Sequence, residues 1–389
     1  MYKLYLILFF SIYFLSACVH TNRINARLLK SIKKDSILRT AHYGIAVWDK
    51  EKNNFIVRHQ SDRYFVPASN VKIATLYAAL KNLSDTLPSF DYYQSQDTLF
   101  ILPKGDPSLL DADFGHHAGF NFLKQVGKPV VILPVKWETA IYGKGWAWDD
   151  YSTSYMPEKS PLPVNKKDTA SYVSGNRVVF PSLQEQYERA AGILSDTLEL
   201  PVLVYRSERI FNEPLQTLYA PSKDSLCKKM MFRSDNLIAE QLLLMVSNQQ
   251  YGMMNETKII DAILSDTSLK FPQKPVWVDG SGLSRYNLFS PEDFVYLLKK
   301  SENELGIDRI KKIFPTGNQG TLKGYYDDKA GFIYAKTGTL SGHVSLSGYL
   351  RTKKNTPLIF SIMINHHTGK SADVRKTVAK YLDKLWRKY

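Results

Sequence analysis

Residues 67–83 read Pro67-Ala68-Ser69-Asn70-Val71-Lys72-Ile73-Ala74-Thr75-Leu76-Tyr77-Ala78-Ala79-Leu80-Lys81-Asn82-Leu83. Ile73, Leu76, Tyr77 and Leu80 recur at helical spacing, and Pro67 stands just before the start, so Ser69 to Leu83 reads as a helix. Ser69 and Lys72 are three residues apart, which puts both side chains on one face of the first turn. A serine hydroxyl is a poor nucleophile at neutral pH and needs an adjacent base, which a lysine can supply. The helix N-terminus adds a positive end potential that favours a developing anion. The pattern alone is weak, because Ser31/Lys34 and Ser225/Lys228 share it. Context separates the three. Ser31 lies in a polar N-terminal stretch and Ser225 opens an ordinary polar helix face. Only Ser69 begins an apolar helix that follows two predicted strands, His42–Trp48 and Asn54–His59.

Outward from that helix the chain changes character twice. Residues 88–205 contain short β-like runs (Thr98–Leu102, Pro129–Leu133, Arg177–Phe180, Pro201–Tyr205) broken by Gly, Pro and Asp, which predicts an inserted β-rich module. Ser225 to Val246 returns to one long helical pattern. The end reads strand, strand, strand, helix: Phe332–Lys336, His343–Leu350, Pro357–Asn365 and the basic amphipathic Ala372–Tyr389. Two separated segments, 38–87 and 206–389, therefore look like one α/β layer structure around a passenger. A chain of 389 residues suits two domains, or one large domain with an insertion.

Two further patterns carry chemistry. Ser-x-Asn occurs at Ser174/Asn176, Ser234/Asn236 and Ser301/Asn303. Lys-Thr-Gly occurs at Lys336-Thr337-Gly338, on a predicted strand. The order Ser69, Ser234, Lys336 is that of serine acyl-transferases which use a lysine base. Metal and phosphate signatures are missing: there is no His-Glu-x-x-His, no Cys pair at zinc spacing, no acidic calcium loop and no phosphate loop. His366-His367 read as structural, and Gly369-Lys370-Ser371 as a helix start. Gly280-Ser281-Gly282 reads as a tight turn without chemistry, and the pair Trp146/Trp148 as packing. Taken alone, Ser234 could equally cap a helix.

Longer stretches make the likeness specific. Met231-Phe232-Arg233-Ser234-Asp235-Asn236-Leu237-Ile238-Ala239-Glu240 resembles the second motif of the D-alanyl-D-alanine carboxypeptidase/endopeptidase family, the low-molecular-mass class C penicillin-binding proteins (peptidase family S13). Asp279-Gly280-Ser281-Gly282-Leu283-Ser284-Arg285, Gly320-Thr321-Leu322 and Lys336-Thr337-Gly338-Thr339-Leu340-Ser341-Gly342 are similar to further family segments. So are Gly105-Asp106-Pro107-Ser108-Leu109 and Gly145-Trp146-Ala147-Trp148-Asp149-Asp150-Tyr151. The match runs from about residue 40 to 385 in the right order. The gap between Ser69 and Ser234 is shorter than in typical members, so no insert-borne substrate contact is carried over.

The resemblance implies a mixed α/β (α+β), β-lactamase/transpeptidase-like penicillin-recognising fold, an antiparallel sheet flanked by helices, without metal or cofactor. It implies a serine acyl-transfer enzyme acting on peptidoglycan stems ending in D-Ala-D-Ala and acylated by β-lactam antibiotics. Ser69 would be the nucleophile. Lys72 would be its base, if burial and neighbouring Lys336 depress its pKa. Ser234 would relay a proton to the leaving nitrogen. Asn236 would bond the substrate amide and hold Lys72. Lys336, Thr337 and Thr339 would bind the terminal carboxylate and, with Gly338, line the strand on which the substrate lies. The backbone N–H groups of Ser69 and Thr339 would form the oxyanion hole. Carboxypeptidase and endopeptidase action share that acyl-enzyme and stay open. Three rivals remain: a β-lactamase, for which no convincing deacylation loop is visible, a non-catalytic, lipid-anchored wall-binding protein on the same scaffold, and a secreted esterase with a Ser-Lys pair, against which the wider match across the insert argues.

The N-terminus sets the expected compartment. A short basic start and an apolar run, Leu4 to Leu15, predict a secretory signal over 1–17, since the run is too short to span a bilayer. Leu15-Ser16-Ala17-Cys18 resembles a bacterial lipobox, which would leave Cys18 lipid-modified at the head of a tether over 18–37. The expectation is an exported, periplasmic protein anchored in a membrane. Val19 after Cys18 favours the outer one. Export makes nucleic acid a poor partner, although the formal charge is +14. A positive surface suits the free carboxylates of peptidoglycan stems instead. Two cysteines, Cys18 and Cys227, exclude a disulfide scaffold.

Overall fold

The computed structural model describes residues 35–36, 38–115, 117–164, 173–174, 177–178, 181–206 and 211–389. The expected signal over 1–17, Cys18, most of the tether, the Ser31/Lys34 pair and Asn176 lie outside these residues.

The chain opens with the predicted hairpin, β1 (His42–Asp49) and β2 (Asn54–His59). A 3-10 turn, Ala68–Val71, then carries Ser69 into helix α1 (Lys72–Asn82). The helix is buried along almost its whole length, and the residues that bury it are the apolar set read from the sequence. Next come β3 (Thr86–Gln94), β4 (Leu99–Pro103), α2 (Ala118–Val126), β5 (Val130–Ile132), a short ladder of β6 (Val173–Ser174) and β7 (Arg177–Val178), α3 (Leu183–Leu198), β8 (Val202–Val204) and β9 (Gln216–Ser222). The remainder is mostly helical: α4 (Lys223–Arg233), α5 (Asn236–Tyr251), α6 (Glu256–Leu264), α7 (Pro291–Leu305) and α8 (Ile307–Ile313). Three strands, β10 (Ile333–Leu340), β11 (His343–Arg351) and β12 (Pro357–Asn365), precede the last helix, α9 (Ser371–Lys388).

The first and last segments build one antiparallel sheet in the order β10-β11-β12-β1-β2. β12 pairs with β1 in continuous register from His42↔Asn365 to Asp49↔Leu358, which joins the two ends of the chain. β12 is apolar except for Ser361 and its last residue, Asn365, because both its faces are covered. Its side chains alternate between them. Ile359 and Met363 enter the core with α1, α5 and α7, whereas Phe360, Ile362 and Ile364 meet Val374, Val378, Leu382 and Leu385 of α9. The result is a helix–sheet–helix sandwich with β10 at one edge.

The insert departs from the β-rich expectation. Its sheet has the order β8-β5-β4-β3-β9, in which β4–β5 and β5–β8 are parallel. It takes in β3 from Thr86 and β9 to Ser222, beyond both expected limits of 88 and 205. Parallel neighbours need crossover connections, and α2 lies between β4 and β5, and α3 between β5 and β8. α3 was legible in principle: Ser182 and Glu185 form a capping box, and Tyr187, Ala190, Ala191, Leu194 and Leu198 make a buried stripe. The helix expected over 225–246 is two helices, with the break at Ser234-Asp235.

Leu194→Ala tests the placement of α3. The side chain is fully buried against the insert sheet, so truncation is expected to cost about 2–5 kcal/mol, read as a lower denaturant midpoint. A solvent-facing position would shift stability by under about 0.5 kcal/mol.

Candidate active site

Ser69 sits in a tight place. Ala68 before it adopts φ 50°, which aims the short turn at the sheet. The turn lies against β10 so closely that a Cβ at Gly338 would fall 2.6 Å from the Pro67 carbonyl oxygen and 2.2 Å from Ser345 Oγ. Glycine is therefore required at the third position of Lys-Thr-Gly by the approach of two backbones. From the other side, a Cβ at Gly282 would lie 2.0 Å from the Ala68 carbonyl oxygen, and Gly282 itself has φ +85°. The Ser69 turn is thus clamped between β10 and the Gly280–Gly282 loop.

Lys72 follows one turn later and is completely buried. Its Nζ lies 3.1 Å from Ser69 Oγ, 2.5 Å from Asn236 Oδ1 and 2.6 Å from the Ser281 carbonyl oxygen. Asn236 Nδ2 donates to the Tyr155 carbonyl at 2.7 Å, which fixes the orientation of the amide. Asn236 Oδ1 and the Ser281 carbonyl can only accept. They take both N–H groups of a neutral amine, and its lone pair is left facing the Ser69 hydroxyl. Burial raises the share of that neutral form: it lowers the Lys72 pKa to about 8, against the pull of Asp279, Glu240 and Asp235 in the other direction. Of the two causes expected, burial lowers it and Lys336 does not contribute.

Ser234 and Lys336 form a second pair beside the first. Ser234 ends α4 in the left-handed region, φ 55°. Asp235, not Ser234, caps α5, accepting from Ile238 N–H at 3.0 Å. The helix break leaves the Ser234 hydroxyl to receive a hydrogen bond from Lys336 Nζ at 2.8 Å. Lys336 is also completely buried and donates to its neighbour's carbonyl, Thr337 O, at 2.7 Å. Its pKa lies well below the usual lysine value because of burial first, then the positive charges of Lys72 and Arg375.

β10 presents its open edge to this cluster. A two-residue turn joins it to β11 with Leu340 opposite His343. Ala335 N–H donates out of the sheet to the Pro315 carbonyl. Backbone groups alternate in direction along a strand, so residues 335, 337 and 339 turn theirs to the open edge. Thr339 N–H therefore points where an added strand, or an oxyanion, would lie.

The other candidates fall away from this place. Ser225 and Lys228 are exposed on α4, and Ser301 Oγ donates to its own helix at the Leu297 carbonyl. His366 stands edge-on to His42 and His343, and His367 Nδ1 contacts the Gly369 carbonyl oxygen. Trp146 packs as expected, with Nε1 donating to Asp279 at 2.8 Å, but Trp148 is 83% exposed.

The Gly280-Ser281-Gly282 turn has more to do than its sequence suggested. Besides the Ser281 carbonyl on Lys72, the Gly280 carbonyl accepts from Thr75 Oγ1 at 2.7 Å. Two buried acids hold the turn. Glu240 accepts from Gly280 and Ser281 N–H at 3.1 and 2.8 Å, and Asp279 accepts from Gly282 and Ser284 N–H at 2.9 and 2.6 Å. Burial, then the charge of Asp279, pushes Glu240 up to about 7. Glu240 lies four residues after Asn236, on the same face of α5, and that spacing was the available signal.

A nucleophile with an amine base predicts a rising pH profile. The reactive amine is the neutral one, and its fraction grows about fiftyfold from pH 6 to pH 8 for a pKa of about 8. Acylation of Ser69 by an excess of an activated acyl donor, followed by intact mass against time, should rise accordingly and level off above that range. A flat profile would remove Lys72 as the base.

Comparison with known proteins converges on one family. A model of the D-Ala-D-Ala carboxypeptidase 3 (S13) family matches residues 25–190 and 206–388. The D-alanyl-D-alanine carboxypeptidase DacB of Haemophilus influenzae is 31% identical over 159 residues. These cover 37% of this chain and 32% of that protein, so the aligned stretch spans under a third of the relative's length. The crystal structure of penicillin binding protein 4 from the same organism aligns over 93% of this chain and 98% of that one, with a TM-score of 0.71 at 19% identity. A predatory endopeptidase of Bdellovibrio bacteriovorus, solved with an immunity protein, aligns over 89% and 93%, with a TM-score of 0.60 at 14% identity. At these identities the two structures establish the fold.

Proposed function

Because the chain belongs to the D-Ala-D-Ala carboxypeptidase 3 (S13) family, we propose that it is a serine-type D-Ala-D-Ala carboxypeptidase and/or endopeptidase that trims peptidoglycan stem peptides through an acyl-enzyme. The observation that carries this reading is the contact of a buried lysine with the serine hydroxyl, Lys72 Nζ to Ser69 Oγ at 3.1 Å, beside the open edge of β10.

The stem peptide lies along β10 as an added strand. Ser69 Oγ attacks the carbonyl carbon of the penultimate D-alanine while Lys72 takes its proton. The charge on the carbonyl oxygen is met by the N–H groups of Ser69 and Thr339. Losing one such donor typically costs about 3–4 kcal/mol of transition-state stabilisation. Collapse of the intermediate breaks the amide bond, and the leaving nitrogen receives its proton through Ser234, which Lys336 contacts at 2.8 Å. Asn236 holds Lys72 and bonds the substrate amide. Thr337, Thr339 and Lys336 bind the carboxylate of the leaving residue. Water then cleaves the ester. A β-lactam enters by the same attack, its strained ring opening onto Ser69.

The N-terminal segment places this chemistry. Residues 1–17 act as an export signal and Cys18 as the lipidated N-terminus, which tethers the enzyme at a bacterial membrane, the outer one in keeping with Val19, facing the wall. A Cys18→Ala variant expressed with its own leader is expected to leave the membrane fraction for the soluble one. Unchanged membrane recovery would remove the lipid anchor.

The decisive measurement is intact mass of the soluble form, lacking residues 1–18, after incubation with benzylpenicillin. One penicilloyl group on the wild type and none on Ser69→Ala is the expected result, and muropeptide digestion then divides the two peptidase activities. No adduct with rapid loss of the antibiotic would mean a β-lactamase. No adduct and no loss would favour the wall-binding protein.

A further inference from the structure

One cation beside the site has no place in the scheme above. Arg375 lies on the second turn of α9, across the sheet from Ser69. Its Nη2 donates to Thr339 Oγ1 at 2.6 Å. Its Nε is buried without a hydrogen-bond partner among the described residues. The acids of its own helix are engaged elsewhere, Asp373 with Lys376, and Asp383 with Lys329 and Arg387. A guanidinium held in a partly buried place with an unpaired N–H is costly unless something else uses it.

The strand explains what that could be. Side chains alternate along β10. Lys336 faces Ser234 and the turn carrying Ser69, whereas Thr337 and Thr339 face α9. Thr337, Arg375, Tyr326 and Thr321 line one small cavity on that side, and Thr321 Oγ1 is also buried and has no hydrogen-bond partner among the described residues. The positive charge of Arg375 is felt at Lys336. The guanidinium therefore stands behind the two threonines expected to hold a carboxylate, at the open edge of the strand. Its planar fork matches a carboxylate in a way that a lysine or a hydroxyl does not.

We propose that Arg375 is a specificity-determining residue, whose guanidinium, set by Thr339, selects acyl donors that carry a free carboxylate on the residue beyond the bond being cut. The proposal rests on the acyl-enzyme reading given above. The same group would recognise the ring carboxylate of a penicillin.

The test compares benzylpenicillin with its methyl ester on one enzyme preparation. Acylation rate constants are measured by intact mass for the wild type, Arg375→Ala, Arg375→Lys and Arg375→Gln. The acid-to-ester ratio is the readout, because a misfolded fraction or a displaced α9 lowers both rates and cancels. The ratio is expected to fall at least tenfold in Arg375→Ala and to recover in part in Arg375→Lys. Arg375→Gln keeps a polar N–H group on α9 without the charge, and its ratio should fall as well; it carries the test if the alanine variant does not fold. A ratio within twofold of the wild type in these variants overturns the proposal and leaves Arg375 a strut between α9 and β10. A wild type that forms no adduct with either compound at Ser69 fails the acyl-enzyme reading itself, and the proposal falls with it.

Discussion

Burying an amine without ion-pairing it is the constraint around which this molecule is arranged. Lys72 and Lys336 are both sealed from solvent, and each meets hydroxyls, carbonyls or an amide rather than a carboxylate. Full charge in such a place would cost several kcal/mol. The cost is reduced by letting the amines lose protons readily. Direct carboxylate contact would undo this by holding the proton. The acids are accordingly kept one layer back: Glu240 accepts from the backbone of the Gly280–Gly282 turn, Asp279 from Gly282, Ser284, Trp146 and Asn287, and the turn's carbonyl faces Lys72. Their charge still reaches the amine and limits the fall of its pKa. The site is a balance between burial, which removes the proton, and distant acids, which retain it.

The backbone is shaped to serve that balance. The helix expected over 225–246 breaks at Ser234 because one continuous helix could not turn Ser234 toward Lys336 and Asn236 toward Lys72. A left-handed residue between α4 and α5 makes both directions available. Gly338 and Gly282 let β10 and the turn close on Ser69 from both sides. These are close approaches of main chain to main chain, and no side chain repacking could relieve a methyl group there.

What was legible in the sequence follows from range. Ser69 and Lys72 share one helical turn, so their meeting is local and the pattern reveals it. The hairpin of β1 and β2 and the strands β11 and β12 were readable from apolar runs bounded by turns. Glu240 gives no signal of its own, because an acid on a helix looks solvated until the loop it holds is known. Ser281 contributes a carbonyl, and a main-chain group leaves no trace in side-chain identity. α3 is masked by neighbouring β-like runs, although its capping box and stripe stand in the sequence. Arg375 sits among the lysines of a basic amphipathic helix, where only the register of β10 distinguishes it.

The insert was expected to be a passenger, and its hydrogen bonds say otherwise. The Tyr155 carbonyl orients Asn236, Trp146 bonds Asp279, Lys159 pairs with Glu256 at 2.6 Å, and Gln241 donates to the Gly105 and Ser160 carbonyls. All of these except the Lys159–Glu256 pair join the stretch between Gly105 and Ser160 to α5 or to Asp279 beside the Gly280–Gly282 turn, which hold the site. Modularity therefore has a boundary inside the insert. Exchange of the whole segment between relatives would transplant part of the catalytic scaffolding, so a viable chimera must be cut so that Trp146 stays with the Asp279 loop, and Tyr155 and Lys159 with the helices they bind.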